Sequence, residues 1–74
     1  MKIIEATYPH YLCEYKDQIF TINARWTGDG RLVLEPEIGW NQLTKLLNQD
    51  SESLYDAIDD AIYNVTPEIF DRNN

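Results

Sequence analysis

Residues 18–35 read QIFTINARWTGDGRLVLE, from Gln18 to Glu35, and this stretch folds back on itself as a β-hairpin. Phe20, Ile22, Ala24 and Trp26 alternate with Thr21, Asn23 and Arg25, the period of a strand with one apolar face. Gly28-Asp29-Gly30 then suits a three-residue loop, a type I turn closed by a left-handed residue, with Gly30 supplying the positive φ. Thr27 would face Arg31, which pairs Trp26 with Leu32, Arg25 with Val33 and Ala24 with Leu34. A one-residue slip would mix Arg31 and Val33 with Trp26 and Ala24, so pattern and turn chemistry select the same register.

Towards the N-terminus two shorter strands are expected. Ile4, Ala6 and Tyr8 alternate with Glu5 and Thr7 in a first strand ending at Pro9; Tyr11, Cys13 and Tyr15 alternate with Leu12 and Glu14 in a second, followed by the turn-prone Lys16-Asp17. Past Pro36 the period changes. Trp40, Leu43 and Leu47 recur at helical spacing, with Leu46 widening the stripe, so residues 39–48 read as a short helix. Asp50, Ser51 and Ser53 offer N-cap oxygens for a second helix, Ser53 with Asp56 as a capping-box variant, and its buried stripe is Leu54, Ile58, Ala61, Ile62 and Val65. Thr66-Pro67-Glu68 signals one more helical turn over 67–71, and residues 72–74 are expected to fray.

Strands followed by helices indicate an α+β domain: an antiparallel sheet of three or four strands packed against two or three short C-terminal helices. The 74 residues form a single domain, with 1–36 the sheet, 37–71 the helical part and 72–74 the tail. A core of this size supplies only about 3 to 5 kcal/mol, so its nine aromatic rings matter, and self-association into a homodimer, near the first strand or Trp40, is expected.

Cys13 is the lone cysteine, so no intrachain disulfide forms, and no apolar stretch approaches the roughly 20 residues that span a bilayer. A cytoplasmic location is the expectation. Charge is unevenly placed: residues 1–45 carry six acids against five bases, residues 46–74 seven acids against Arg72 alone, out of a net −7. Such a balance excludes direct binding to a nucleic-acid backbone, which needs clustered Lys and Arg, and points to a cationic partner.

Glu52, Asp56, Asp59, Asp60 and Tyr63 fall three and four apart, on the side of the second helix opposite its apolar stripe, with no Lys or Arg between Gln49 and Asp71. Like charges at that spacing cost a helix a few tenths of a kcal/mol per pair. Those five residues are therefore the candidate partner-binding side; the competing reading is a solvated face that keeps the chain soluble. Trp40 is mainly a core candidate and also an interface anchor, and Tyr11, Tyr15 and Arg25 could join it in an aromatic and cationic rim.

Other chemistries fail on residue type. His10 and Cys13, three apart on a strand, point to opposite faces, and no second His or Cys completes a zinc site; Cys13 reads as core and His10 as a residue at the bend after Pro9. Residues 50–61 lack the glycine and glutamate of a calcium loop, having Tyr55 and Ala61 there, and Gly28 and Gly30 lie in a hairpin rather than before a helix. No catalytic residue, metal or cofactor is expected.

Gly39-Trp40-Asn41-Gln42, followed by an acidic helix containing Leu54-Tyr55-Asp56, resembles the small acidic phage-encoded anti-CRISPR proteins that inhibit Cas9, in which a three-stranded sheet also accompanies helices. The resemblance implies that Asp56, Asp59 and Asp60 imitate DNA phosphates in the Arg-rich cleft that reads the protospacer-adjacent motif. The functional expectation is thus an acidic inhibitor that occupies the basic surface of a nucleic-acid-handling protein by DNA mimicry, of the anti-CRISPR or anti-restriction type. The alternative is a non-enzymatic structural or adaptor domain, a homodimer, whose acidity serves solubility.

Overall fold

Four strands pair in sequence order as an antiparallel meander, and two helices follow: β1 Lys2–Thr7, β2 His10–Tyr15, β3 Gln18–Trp26, β4 Leu32–Pro36, α1 Trp40–Leu47 and α2 Ser51–Val65. This is an α+β fold. The computed structural model describes residues 1–65, so the turn expected over 67–71 and the fraying of 72–74 lie outside the described residues.

The β3–β4 hairpin has the register its sequence dictates, with Trp26 opposite Leu32, Arg25 opposite Val33 and Ala24 opposite Leu34. Gly30 sits at φ 84°, in the left-handed region that closes the loop, and the Thr27 amide donates to the Arg31 carbonyl at 2.8 Å. At the β2–β3 turn Lys16 and Asp17 both take positive φ, 52° and 63°, and Tyr15 faces Gln18. That is a two-residue primed turn, whose twist matches the strands it joins. Thr7 faces His10 across the β1–β2 turn, where the Tyr8–Pro9 peptide is cis.

The expected face of the first strand is corrected. Ile3 pairs with Cys13 and Glu5 with Leu12, so Ile4 is the extra residue of a bulge. One inserted residue shifts every later side chain to the other face. Ile3 and Ala6, opposite Cys13 and Tyr11, therefore lie on the core side; Ile3 packs on the core, whereas Ile4 and Tyr8 are exposed.

Pairing continues just past β4, where the Glu37 amide donates to the Thr21 carbonyl at 2.9 Å, and the chain then turns through Gly39 at φ 91° into α1. Asn48 ends α1 in the left-handed conformation, its amide bonded to the Thr44 carbonyl, a role asparagine takes when glycine is absent. Of the three cap oxygens on offer for α2, Asp50 is the one used: its carboxylate accepts the Ser53 amide at 2.9 Å. Helix α2 therefore starts at Ser51, ahead of the capping box expected at Ser53.

Both helices cover one face of the sheet, α1 lying nearest β4 and α2 nearest β1. Tyr11, Cys13, Phe20, Ile22, Ala24 and Leu34 from the sheet meet Leu43, Leu47, Leu54, Ile58 and Ile62 from the helices. Fully burying one such aliphatic side chain stabilises the fold by about 1.5 to 3 kcal/mol. Two expected stripe residues stay outside this core, Leu46 and Val65, both nearly half exposed, and Ala61 is half-buried at its border. The opposite face of the sheet, bearing Leu12, Ile19, Thr21, Arg25 and Val33, is covered by none of the described residues' helices.

Candidate functional site

Leu54, Ile58 and Ile62 turn one side of α2 into the core and so present the other side to solvent. Glu52, Asp56, Asp60 and Tyr63 are exposed there, and Asp59 is half-buried on the flank, one turn beyond the half-buried Tyr55. The acids expected to share a side do share it. Among the described residues, the ion pair is Arg31 with Asp29, 3.0 Å apart in the β3–β4 loop, and no lysine or arginine pairs with the α2 carboxylates.

Electrostatics separate these acids. Burial, and after it the charges of Asp56 and Asp60, raise the Asp59 carboxyl above its ordinary value. Asp50 is held low instead, chiefly by the Ser53 amide it caps, and Asp29 is held low chiefly by the Thr27 hydroxyl, which donates to it. Asp29 and Asp50 therefore serve turn and cap, while Asp59 sits among like charges that no lysine or arginine of the described residues pairs with. No group of three or more His, Cys, Asp or Glu among the described residues is arranged to hold a metal ion.

Trp40 opens α1 half-buried, packed against the core, and its ring meets that of Tyr55 with centroids 5.7 Å apart and planes tilted by 38°. Next to this pair lies a hollow of about 400 Å³ lined by Trp40, Ser51, Glu52, Tyr55 and Asp56. Trp40 is thus both a core residue and a wall of the acidic side. Tyr55 and Ser51 were not candidates from sequence, because their place beside Trp40 depends on how α1 packs on α2. The one signal available was spacing: Ser51 and Tyr55, like Glu52 and Asp56, are four apart and share a helix side.

The rim expected from Tyr11, Tyr15 and Arg25 does not assemble around Trp40. Tyr11 is fully buried, the Tyr15 hydroxyl donates to Gln49 at 3.1 Å, and Arg25 is exposed on the far face of the sheet. His10 and Cys13 do not converge. His10 opens β2 on the outer face with its Nδ1 2.7 Å from Asn23 Oδ1, whereas Cys13 is buried in the core, where burial pushes its thiol up to about 11.

No family model, curated protein sequence or solved structure matches this chain.

Proposed function

We propose that this chain is a non-enzymatic inhibitor whose α2 side occupies the basic, nucleic-acid-binding surface of a target protein by DNA mimicry, of the anti-CRISPR or anti-restriction type. One observation carries the reading: Glu52, Asp56, Asp59 and Asp60 stand together on α2 with no lysine or arginine among the described residues paired to them. A helix rises about 1.5 Å per residue, so these four carboxylates span about 12 Å of axis. Their density, about one per 3 to 4 Å, is close to the roughly 3.4 Å axial spacing of phosphates along one DNA strand. Asp59 is raised first by burial and then by the charges of Asp56 and Asp60, and a cationic surface would relieve that second, smaller cause.

Capture on the immobilised chain from a bacterial lysate, with salt elution and competition by a DNA duplex, tests this. The retained protein is expected to release with rising salt and to be displaced by the duplex. Reversing Asp56, Asp59 and Asp60 to lysine is expected to abolish capture without altering the circular dichroism spectrum, since all three lie off the buried stripe. A triple mutant that captures the same protein with unchanged affinity and salt dependence would sink the mimicry reading.

A second reading is supported by the uncovered sheet face, where Ile19 is 59% exposed, diagonal to Leu12 across the β2–β3 pair, with Val33 opposite Arg25 at the other end of β3. There the chain is an adaptor or structural domain that self-associates through apolar area, as a homodimer. Sedimentation at several concentrations separates the two, because apolar association is little weakened by salt.

A further inference from the structure

We infer that the hollow beside Trp40 and Tyr55 is a receptor for one arginine side chain of the partner, an inference that rests on α2 being the binding side and names the group it takes. The walls are of two kinds. Trp40 and Tyr55 are half-buried, so their rings are fixed by the core behind them yet keep accessible surface, and their planes are tilted by 38° rather than stacked on each other. Glu52 and Asp56, four residues apart on α2, set two exposed carboxylates on the rim, and Ser51 adds a hydroxyl.

Those two kinds of wall together select a cation with a flat face. An apolar ligand would leave the carboxylates desolvated and unpaired, and an anion would be repelled by them. A guanidinium fits both: its plane stacks on an aromatic face while its edge donates paired hydrogen bonds to a carboxylate. A lysine ammonium satisfies the charge but is a strongly hydrated point donor that gains less from the rings. The positive end of the α2 dipole, about half an elementary charge, opposes any cation here, but two whole carboxylates outweigh it. At about 400 Å³ the hollow falls at the small end of ligand-sized sites, room for one long side chain rather than a folded segment.

The probe is the blocked peptide Gly-Gly-Arg-Gly-Gly, compared with versions carrying lysine or citrulline in place of arginine. Binding is read from the Trp40 indole resonance in the Trp26→Phe protein; Trp26 Nε1 is buried with no acceptor, so that change breaks no hydrogen bond in the described structure. Saturable shifts at Trp40 and Tyr55 are expected with arginine, binding severalfold weaker with lysine, and none with citrulline. Tyr55→Leu and the double change Glu52→Gln with Asp56→Asn should each weaken the arginine peptide at least fivefold. The double change touches no buried side chain, so a folding defect in the first variant would not obscure the result. Equal binding of the arginine and lysine peptides, or full binding to the double variant, overturns the receptor while leaving salt-dependent partner capture through α2 intact. Conversely, arginine-selective binding with lysate capture unaffected by reversing Asp59 and Asp60 alone, which leaves both rim carboxylates in place, supports the hollow and overturns the wider reading alone.

Discussion

Lys16 donates from its ammonium to the Leu47 carbonyl at 3.1 Å, so the turn of the β2–β3 hairpin caps the C-terminus of α1. The ammonium also lies 5.5 Å from the centroid of the Tyr15 ring, whose hydroxyl reaches Gln49 just beyond the helix. Turn and helix end thereby fix each other. The carbonyls that end a helix have no partner within it and carry its negative pole, which a cation stabilises. Through this contact the sheet holds the end of α1, which Asn48 terminates and from which Asp50 starts α2.

Replacing Lys16 by methionine should therefore loosen the α1 end. The change keeps the apolar stem and removes the charge, at a cost of about 0.3 to 1 kcal/mol, towards the low end because Lys16 is exposed. For a domain of this size 1 kcal/mol corresponds to roughly 4 to 8 °C. Thermal melts should show a drop of a few degrees in low salt that shrinks as salt is added. A drop of equal size at both salt levels would mean that packing of the stem, not the charge, is what matters.

Gly30→Val tests the other turn. At φ 84° a β-branched residue is strained, and the substitution should destabilise the domain by at least about 1 kcal/mol. Asp17→Gly, at φ 63°, should act in the opposite direction, because glycine adopts that region without the steric cost that aspartate bears. Melting temperatures that fail to diverge from wild type in these two directions would contradict the turn geometry.

Why some of this was legible in the residues and some not follows from the kind of signal each element gives. The β3–β4 register is readable because alternation from Phe20 to Trp26 and the glycine at position 30 independently give one answer. The face of β1 is only half readable, since the bulge at Ile4 inserts a residue without any mark in composition: alternation counted from Ile4 places Ala6 correctly but puts Ile4 where Ile3 stands. Leu46 and Val65 match the helical period but overrun the width and length of sheet available to cover them. The acids of α2 were legible as a side because helical spacing alone places them opposite Leu54 and Ile58. Their meeting with Trp40 was not, because it depends on the angle at which two helices settle after Asn48 turns the chain.

Cys13 should be chemically silent in the native protein. Its side chain is fully buried and burial raises its thiol from 9.0 to about 11, so almost no thiolate is present near neutrality. A chromogenic aromatic disulfide should leave it unmodified in the native state and titrate one thiol in denaturant. The unfolded thiol ionises first, so the stability contributed by keeping Cys13 protonated is present below 9.0 and is lost as pH rises towards about 11. Rapid labelling of native protein would show that the core around β2 opens easily.

The acid limb of the stability curve should carry two opposed contributions, and their signs can be assigned. Asp59 is raised above 3.8 in the folded chain, so just above that value the folded state holds more protons than the unfolded, and its contribution falls as pH rises through that window. Asp29 and Asp50 are lowered below 3.8, so the stability they contribute is present above that value and is lost as pH falls through their folded pKa. Asp59→Asn removes the first contribution alone, along with the like-charge pair to Asp56 three residues back, which costs a few tenths of a kcal/mol and is screened by salt. The variant should therefore melt above wild type at neutral pH, with the advantage fading as the buffer is brought down to 3.8 and below, and shrinking in high salt. An advantage that stays constant across that range would show that amide packing, rather than relief of charge on a half-buried carboxylate, is responsible.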